Sequence, residues 1–186
     1  ELAGREVRKS ILASKAKETG CTHVFLAHHQ DDQIETLLFR FLRGTGLYGM
    51  QGIQPFSERN SVFWCRPLLD IPKKNILKYA VEKKIKWRTD SSNNSPEFSR
   101  NKIRNELIPE IKRHFDSFPS SLLRFQRLSR GLLDEIFSIL PRTYQDLFFF
   151  MPGHVFIFSD QLKHTTPHLF AELMRKYLKE SQLTPY

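Results

Sequence analysis

Cysteine is scarce in this chain: Cys21 and Cys65 are the only two among 186 residues. They stand 44 positions apart, so there is no C-x-x-C pair, no zinc spacing and no disulfide framework, which suits a reducing, cytoplasmic setting. Long apolar runs are missing too. No stretch approaches the roughly 18–20 residues needed to span a membrane as a helix. Neither an opening Met nor a signal-peptide pattern is present. The first residues, ELAGREVRKS, already read as mid-helix, so the chain is expected to be the later part of a longer protein. Acidic residues are outnumbered, 20 against 29 basic ones, leaving a net charge of +9. An anionic partner fits that balance, although many soluble proteins are basic for no specific purpose. Hydrophobic residues make up 40% of the chain, enough for a sizeable core.

Periodicity predicts a helix over residues 1–19, with Leu2, Val7, Ile11 and Leu12 on its apolar side and Gly20 as its stop. THVFLA, 22–27, reads as a buried strand that runs into a helix starting near Asp31. A glycine-rich loop follows, then a strand over SVFWCRPLL, 61–69, and an amphipathic helix from Pro72. After a turn-rich loop, a helix from Ser99 is broken or restarted at Pro109. The next helix, 119–140, carries an apolar stripe of Leu122, Phe125, Leu128, Leu132, Ile136 and Leu140. A hairpin turning at Pro152–Gly153 and a last helix close the chain. Helix–strand–helix order implies an α/β fold with a parallel sheet, in which chemistry gathers beyond the carboxyl ends of the strands. The expected divisions are 1–112, a linker helix over 113–140, and a small, truncated α+β domain over 141–186.

One segment lies at that chemical position: AHHQDDQIETLLFRFLRG, residues 27–44. Ile34, Leu37, Leu38, Phe41 and Leu42 form a helical apolar stripe. Asp32 and Glu35, three apart, project from one face and could hold Mg²⁺ through oxygen ligands. The bland alternative is capping: Asp31 or Asp32 as N-cap, with Glu35 as the back half of a capping box. His28 and His29 are adjacent on extended chain and so point to opposite sides, which argues against a zinc pair and places one inside and one at the site.

The order strand, His28-His29, Asp32, Glu35-Thr36, apolar stripe, then Arg43-Gly44-x-Gly46 resembles the H-H-x-x-D-x-x-E-T signature of the PP-loop ATP pyrophosphatases. Further segments narrow the resemblance to the tRNA(Ile)-lysidine synthetase family. They are R-P-L-L at Arg66–Leu69; Trp87, Asp90 and Asn93; R-N-x-I-R at Arg100, Asn101, Ile103 and Arg104; and Leu107 or Ile108 with Pro109. Glu1, Arg5 and Arg8 match an opening family helix, from which Gly4 and Lys9 depart. The likeness is dense over residues 1 to about 112 and weak after 141. The family's S-G-G-x-D-S pyrophosphate loop is not in this sequence, and RGTGLYGMQG, with no Lys or Ser after its glycines, does not replace it.

The resemblance implies the later part of a Rossmann-like PP-loop domain. It implies ATP-dependent ligation of lysine to C2 of the wobble cytidine of an isoleucine tRNA with a CAU anticodon, through an adenylated intermediate. Asp32 and Glu35 are then the catalytic pair, organising Mg²⁺ or orienting the lysine amine. His28, His29, Thr36 and Arg43 line the ATP and substrate site. Arg66, Arg100, Asn101 and Arg104 meet tRNA or phosphate, as guanidinium forks suit such groups. The implied partners are tRNA, free lysine and ATP with Mg²⁺; a homodimer is left open and no membrane is involved. The rivals are a tRNA thiolation enzyme of the same superfamily, for which the cysteines look badly placed, and a non-catalytic tRNA-binding module.

Overall fold

Small residues set how closely the first helix meets the first sheet. The structure, a computed structural model, describes residues 2–59, 61–88, 99–139, 148–151, 154–157 and 165–180. The chain forms two compact units, Glu1–Phe39 with Gly52–Pro119, and Arg40–Gln51 with Ser120–Tyr186. In the first unit, α1 (Leu2–Glu18) buries Ala13 and Ala16 against Val62 and Trp64, with Leu12, Val24 and Leu26 beside them. Val7 and Ile11, expected on the buried side of α1, are exposed. The inner face is an alanine face, because a helix lying close on a sheet leaves no room there for larger side chains.

The sheet holds β1 (His23–Phe25), β2 (Phe56–Arg59) and β3 (Val62–Cys65) in the order β1-β3-β2. β1 and β3 are parallel, as expected of an α/β fold, with Val24 opposite Trp64. β2 was expected to be loop, yet it pairs antiparallel with β3, Arg59 opposite Val62. Its sequence, FSER, has one large apolar residue in four, so it lacks the signal of a buried strand. The turn into β3 is marked by Ser61 at φ 59°.

From β1 the chain enters α2 (Gln30–Leu42), one residue earlier than Asp31. Gln33, Ile34, Glu35, Leu37 and Leu38 are buried, whereas Phe41 and Leu42 are exposed. The buried stripe ends there because the following segment, from Arg40, packs with the second unit. Gln33 acts as a clasp: its side-chain nitrogen donates to the Ile53 carbonyl at 3.1 Å, and its oxygen accepts from the Ile53 N–H at 2.6 Å. α3 (Lys73–Glu82) follows β3 and buries no residue fully. Gln30 N–H and side chain hold the carbonyls of Ile71 and Asp70, fixing the start of α2 to the segment before α3. The helical run continues as α4 (Ser99–Lys102), a π turn (Ile103–Leu107) and α5 (Ile108–His114).

In the second unit, β4 (Phe148–Met151) and β5 (His154–Ile157) pair antiparallel. The hairpin turn expected at Pro152–Gly153 lies outside the described residues. α6 (Phe118–Ile139) and α7 (Pro167–Glu180) complete it. Leu173 is at the core, packed by Phe137, Ile157, Leu169, Phe170, Met174 and Tyr177. Most of the long helix, within the 113–140 stretch, belongs to this unit, together with the 40–51 loop. Tyr48 N–H of that loop donates to Glu172 at 3.1 Å. The Gln51 carbonyl accepts from Gln126 at 2.9 Å and from Arg130 at 3.2 Å. The buried face of α6 therefore runs through Gln126, Ser129 and Leu133, and Phe125, Leu128 and Leu132 face outward. The buried face is thus rotated from the stripe predicted by periodicity, of which Leu122 and Ile136 stay half-buried, because carbonyls of a packed loop need donors across from them. Among the described residues no helix is long and apolar enough to cross a membrane.

Gly52 is the tightest backbone position in the first unit. Its φ is +71°, and a Cβ there would stand 2.6 Å from the Gln33 side-chain oxygen. Gly52→Ala is expected to lower stability by about 2 kcal/mol, because strain adds to the loss of the clasp. The urea midpoint measures this, and an unchanged midpoint would show that the clasp does not hold the loop.

Candidate active site

The site begins with how α2 is started. His29 sits at its N-cap, and the first intrahelical bond runs from Gln33 N–H to the His29 carbonyl at 3.2 Å. His29 N–H donates to Asp32 Oδ2 at 3.0 Å, and Asp32 N–H reaches back to His29 Nδ1 at 3.4 Å. This is a reciprocal capping box with histidine in the place of serine or threonine. Asp31 is not the cap; its Oδ1 accepts a long bond, 3.4 Å, from Lys73 N–H at the start of α3. Glu35 is free of capping duty and lies buried, 2% exposed.

A buried carboxylate is costly unless a cation meets it with good geometry. The helix of the R-N-x-I-R segment delivers that cation. Arg104 Nε donates to Glu35 Oε1 at 2.6 Å and its Nη2 to Glu35 Oε2 at 2.9 Å, a two-pronged pair. The same Nη2 also reaches Asp32 Oδ1 at 3.2 Å. One turn earlier, Arg100 Nη2 donates to Thr36 Oγ1 at 2.8 Å while its Nε lies 3.6 Å from Glu35 Oε2. Asp32, Glu35 and Thr36 from α2 thus meet Arg100 and Arg104 as one cluster. The hydrogen bond and charge of Glu35 raise the Arg104 guanidinium above its ordinary value, against the opposing effect of burial, with Asp32 and Asp31 adding to the rise.

The backbone between Arg104 and Pro109 is also shaped. Pro109 has no N–H, and its ring would strike the carbonyl four residues back in a regular helix. Of the two expectations, a break or a restart, the run shows a restart, with Pro109 in the first turn of α5. It widens into the π turn Ile103–Leu107, in which Ile108 N–H bonds to the Ile103 carbonyl. π turns recur at functional sites because they re-aim side chains within a continuous helix.

The other predicted residues fall as follows. His28 is half-buried just past β1, Asn101 is half-buried next to Arg100, and Arg43 is exposed beyond the end of α2. Arg66 braces the sheet end: its Nη1 donates to the carbonyls of Gln54 and Trp64 and to Ser57 Oγ. That engagement ties its Nη1 to β2 and β3. Trp87 is largely exposed, and Asp90 and Asn93 lie outside the described residues. Gln33, Gln126 and the His29 cap were not among the residues predicted. An H-x-x-D spacing before an apolar helix was the available signal for the cap.

As arranged, Asp32 and Glu35 do not fit direct Mg²⁺ coordination. Glu35 gives both oxygens to Arg104, and Asp32 gives one to Arg104 and one to the His29 N–H. Among the described residues no three or more His, Cys, Asp or Glu side chains group as a metal site. Where the sequence suggested Mg²⁺, Asp32 and Glu35 meet the guanidinium groups of Arg104 and Arg100.

Residues 1–111 match the family model of the PP-loop domain. The chain is 39% identical over 131 residues to a tRNA(Ile)-lysidine synthase of Bordetella pertussis, covering 68% of this chain and 41% of that protein. It is 40% identical over 111 residues to a tRNA(Ile)-lysidine synthase of Rhodopseudomonas palustris, covering 60% of this chain and 32% of that protein. The chain thus spans about two-fifths or less of these relatives' length. Among solved structures, the U34-tRNA thiolase NcsA from Methanococcus maripaludis, with its 4Fe–4S cluster, matches with a TM-score of 0.52 at 19% identity, over 69% of this chain and 43% of that one. That likeness is one of fold.

Glu35→Ala is expected to destabilise the first unit by about 2 kcal/mol, discounted because Arg104 keeps some solvent and Asp32. A double-mutant cycle with Arg104→Met should return a coupling of about 1–2 kcal/mol in denaturant unfolding, and additive effects would dissolve the pair. Arg104's contribution is complete below the unfolded arginine value and is lost only as pH rises through the still higher folded value. The guanidinium therefore adds no pH dependence between neutral and moderately alkaline solution.

Proposed function

The chain belongs to the PP-loop domain family, and from that premise we propose that it supplies the later part of the active site of a tRNA(Ile)-lysidine synthase, a tRNA-modifying ligase. In this reading the C2 oxygen of the wobble cytidine of an isoleucine tRNA with a CAU anticodon attacks the α-phosphorus of ATP, and pyrophosphate leaves. The ε-amine of free lysine then attacks C2, loses a proton, and AMP departs. The observation that carries the reading is the interlock of two separated segments: Glu35 and Thr36 of one are held by Arg104 and Arg100 of the other. The first segment resembles the PP-loop signature, and the second the R-N-x-I-R segment of the lysidine family.

Asp32 and Glu35 orient the lysine amine in this proposal, and the Arg100–Arg104 face carries phosphate or tRNA backbone. A prepaired cluster suits such work, since oriented charges held in place cost no rearrangement when the substrate's charge changes. His28, His29 and Thr36 border the ATP and substrate site. ATP is the co-substrate, and a cytoplasmic setting follows from a tRNA substrate and reduced cysteines.

Thiolation is disfavoured by the placement of the cysteines. Cys65 pairs with Phe25 at the carboxyl end of the parallel strands, whereas Cys21 precedes His23 at the other end. At about 3.3 Å per residue the two are on the order of 13 Å apart along the sheet.

The test incubates the full-length protein with ATP, Mg²⁺, labelled lysine and either isoleucine or methionine tRNA carrying CAU. ATP-dependent label in the isoleucine tRNA alone is the expected result. Arg104→Ala and Glu35→Gln should reduce it about 100-fold, the scale of a misplaced reacting group. No label with intact tRNA binding would overturn the enzyme reading in favour of a tRNA-binding module.

A further inference from the structure

Positive charge is concentrated on one short stretch of the first unit. Residues 73–88, KKNILKYAVEKKIKWR, hold seven basic residues against Glu82 alone. They carry six of the nine excess positive charges of the chain, so the basic balance is local rather than spread. The stretch is α3 and the turn after it, and every one of the seven is exposed. Among the described residues the seven make one ion pair, Lys78 with Glu82 at 3.9 Å. Aromatic side chains stand among them: Tyr79 is 56% and Trp87 53% exposed. Lys83 Nζ lies 5.9 Å from the centre of the Tyr79 ring, so a cation and a ring already stand side by side. A face that served solubility alone would carry the lysines without leaving two large rings in water.

The position of α3 gives this face a direction. Its first residue, Lys73, donates its N–H to Asp31 Oδ1 at 3.4 Å, next in sequence to Asp32 of the charged cluster. From there the helix extends for about 15 Å at 1.5 Å per residue. We infer that α3 and the turn after it form a track for the tRNA backbone, leading away from the site that takes the wobble nucleotide. The inference rests on the reading of tRNA as the substrate. Lysines then neutralise successive phosphates, and the Tyr79 and Trp87 rings receive unpaired bases. The mixing of charged and apolar groups favours RNA over a lipid surface. On a helix, residues four apart form a row. One exposed row runs Lys73, Leu77, Val81; the next runs Lys74, Lys78, Glu82; a third holds Tyr79 and Lys83. Lysine occurs in every exposed row, whereas a helix that lies on lipid keeps its charges on one side and its apolar groups on the other. No residue of the Asp32–Glu35–Arg104 cluster belongs to the track, so the two can be tested apart.

The measurement is the affinity of the full-length protein for isoleucine tRNA over a series of salt concentrations. Each phosphate contact contributes about 0.7–0.9 to the slope of log affinity against log salt. Replacing Lys74, Lys78 and Lys86 together by Gln should lower that slope by about 2–3 and weaken binding at least tenfold at low salt. Arg at the same three positions should keep both, which separates charge from fold. Trp87→Ala should weaken binding about tenfold and leave the slope unchanged, as expected of a stacked base. A Gln variant with the slope and affinity of the natural protein overturns the proposal, and it does so too if chain outside residues 1–186 covers the face. Loss of binding to phosphatidylserine vesicles, with tRNA binding intact, overturns it in favour of a lipid surface. Lysine incorporation by the natural protein tells this inference from the reading it rests on. Incorporation with an unchanged slope in the Gln variant sinks the track alone, and a reduced slope without incorporation sinks the ligase reading alone.

Discussion

The first unit depends on one demand: a carboxylate buried inside it must be met by a cation. Glu35, 2% exposed, would be intolerable as an isolated charge, and the cost is offset only by a partner with both prongs in place. Arg104 supplies them at 2.6 and 2.9 Å. That arginine is delivered from a helix some seventy positions later in the chain, so the 99–114 run must be docked before α2 can keep its inner face. The π turn before Pro109 is part of the same requirement. It lets one uninterrupted helical run carry Arg100 and Arg104 on one side and still accommodate a proline five residues beyond Arg104. The start of α2 is fixed independently by the His29–Asp32 box, and Asp32 then serves twice, as half of the cap and as the third contact of the Arg104 fork.

The components of this cluster were legible in the sequence, and their assembly was not. Spacing alone put Asp32 with Glu35 and Arg100 with Arg104 on shared helix faces, and the structure keeps both pairs on one face. What spacing cannot say is which face meets which across the fold. A pair of carboxylates with no visible partner reads equally as a metal site or as helix capping; in the structure both carboxylates pair with Arg104, and Asp32 also caps the helix. The cap was misassigned by position for a simple reason: histidine is outside the usual group of N-cap residues, so the H-x-x-D box does not announce itself. The edge strand β2 was missed because a short polar strand lacks the alternation from which strands are read.

The larger misreading, on α6, has a common cause with the smaller one on α1. Periodicity finds where apolar residues repeat, and it assumes that the apolar side is inside. In α1 the inner side is made of alanines, and valine and isoleucine are left outside. In α6 the inner side carries Gln126 and Ser129. Its neighbour there includes the 40–51 loop, whose Gln51 carbonyl must find donors, and Gln126 and Arg130 provide them. A helix that packs on loop backbone has to present polar groups to it, since a buried carbonyl left unbonded costs more than an unburied leucine.

That rotation of the buried face has a consequence for the outside of the helix. The inner face of α6 mixes Gln126 and Ser129 with Leu133, and a lone soluble helix gains nothing from placing Phe125, Leu128 and Leu132 in water. Scattered single exposed apolar residues need no explanation, but a contiguous ridge at helical spacing, beside a glycine with open space over it, does. The inner face of α6 is thus specified by loop backbone and core side chains inside the unit, and its outer face is left exposed. Periodicity read the second face as if it were the first.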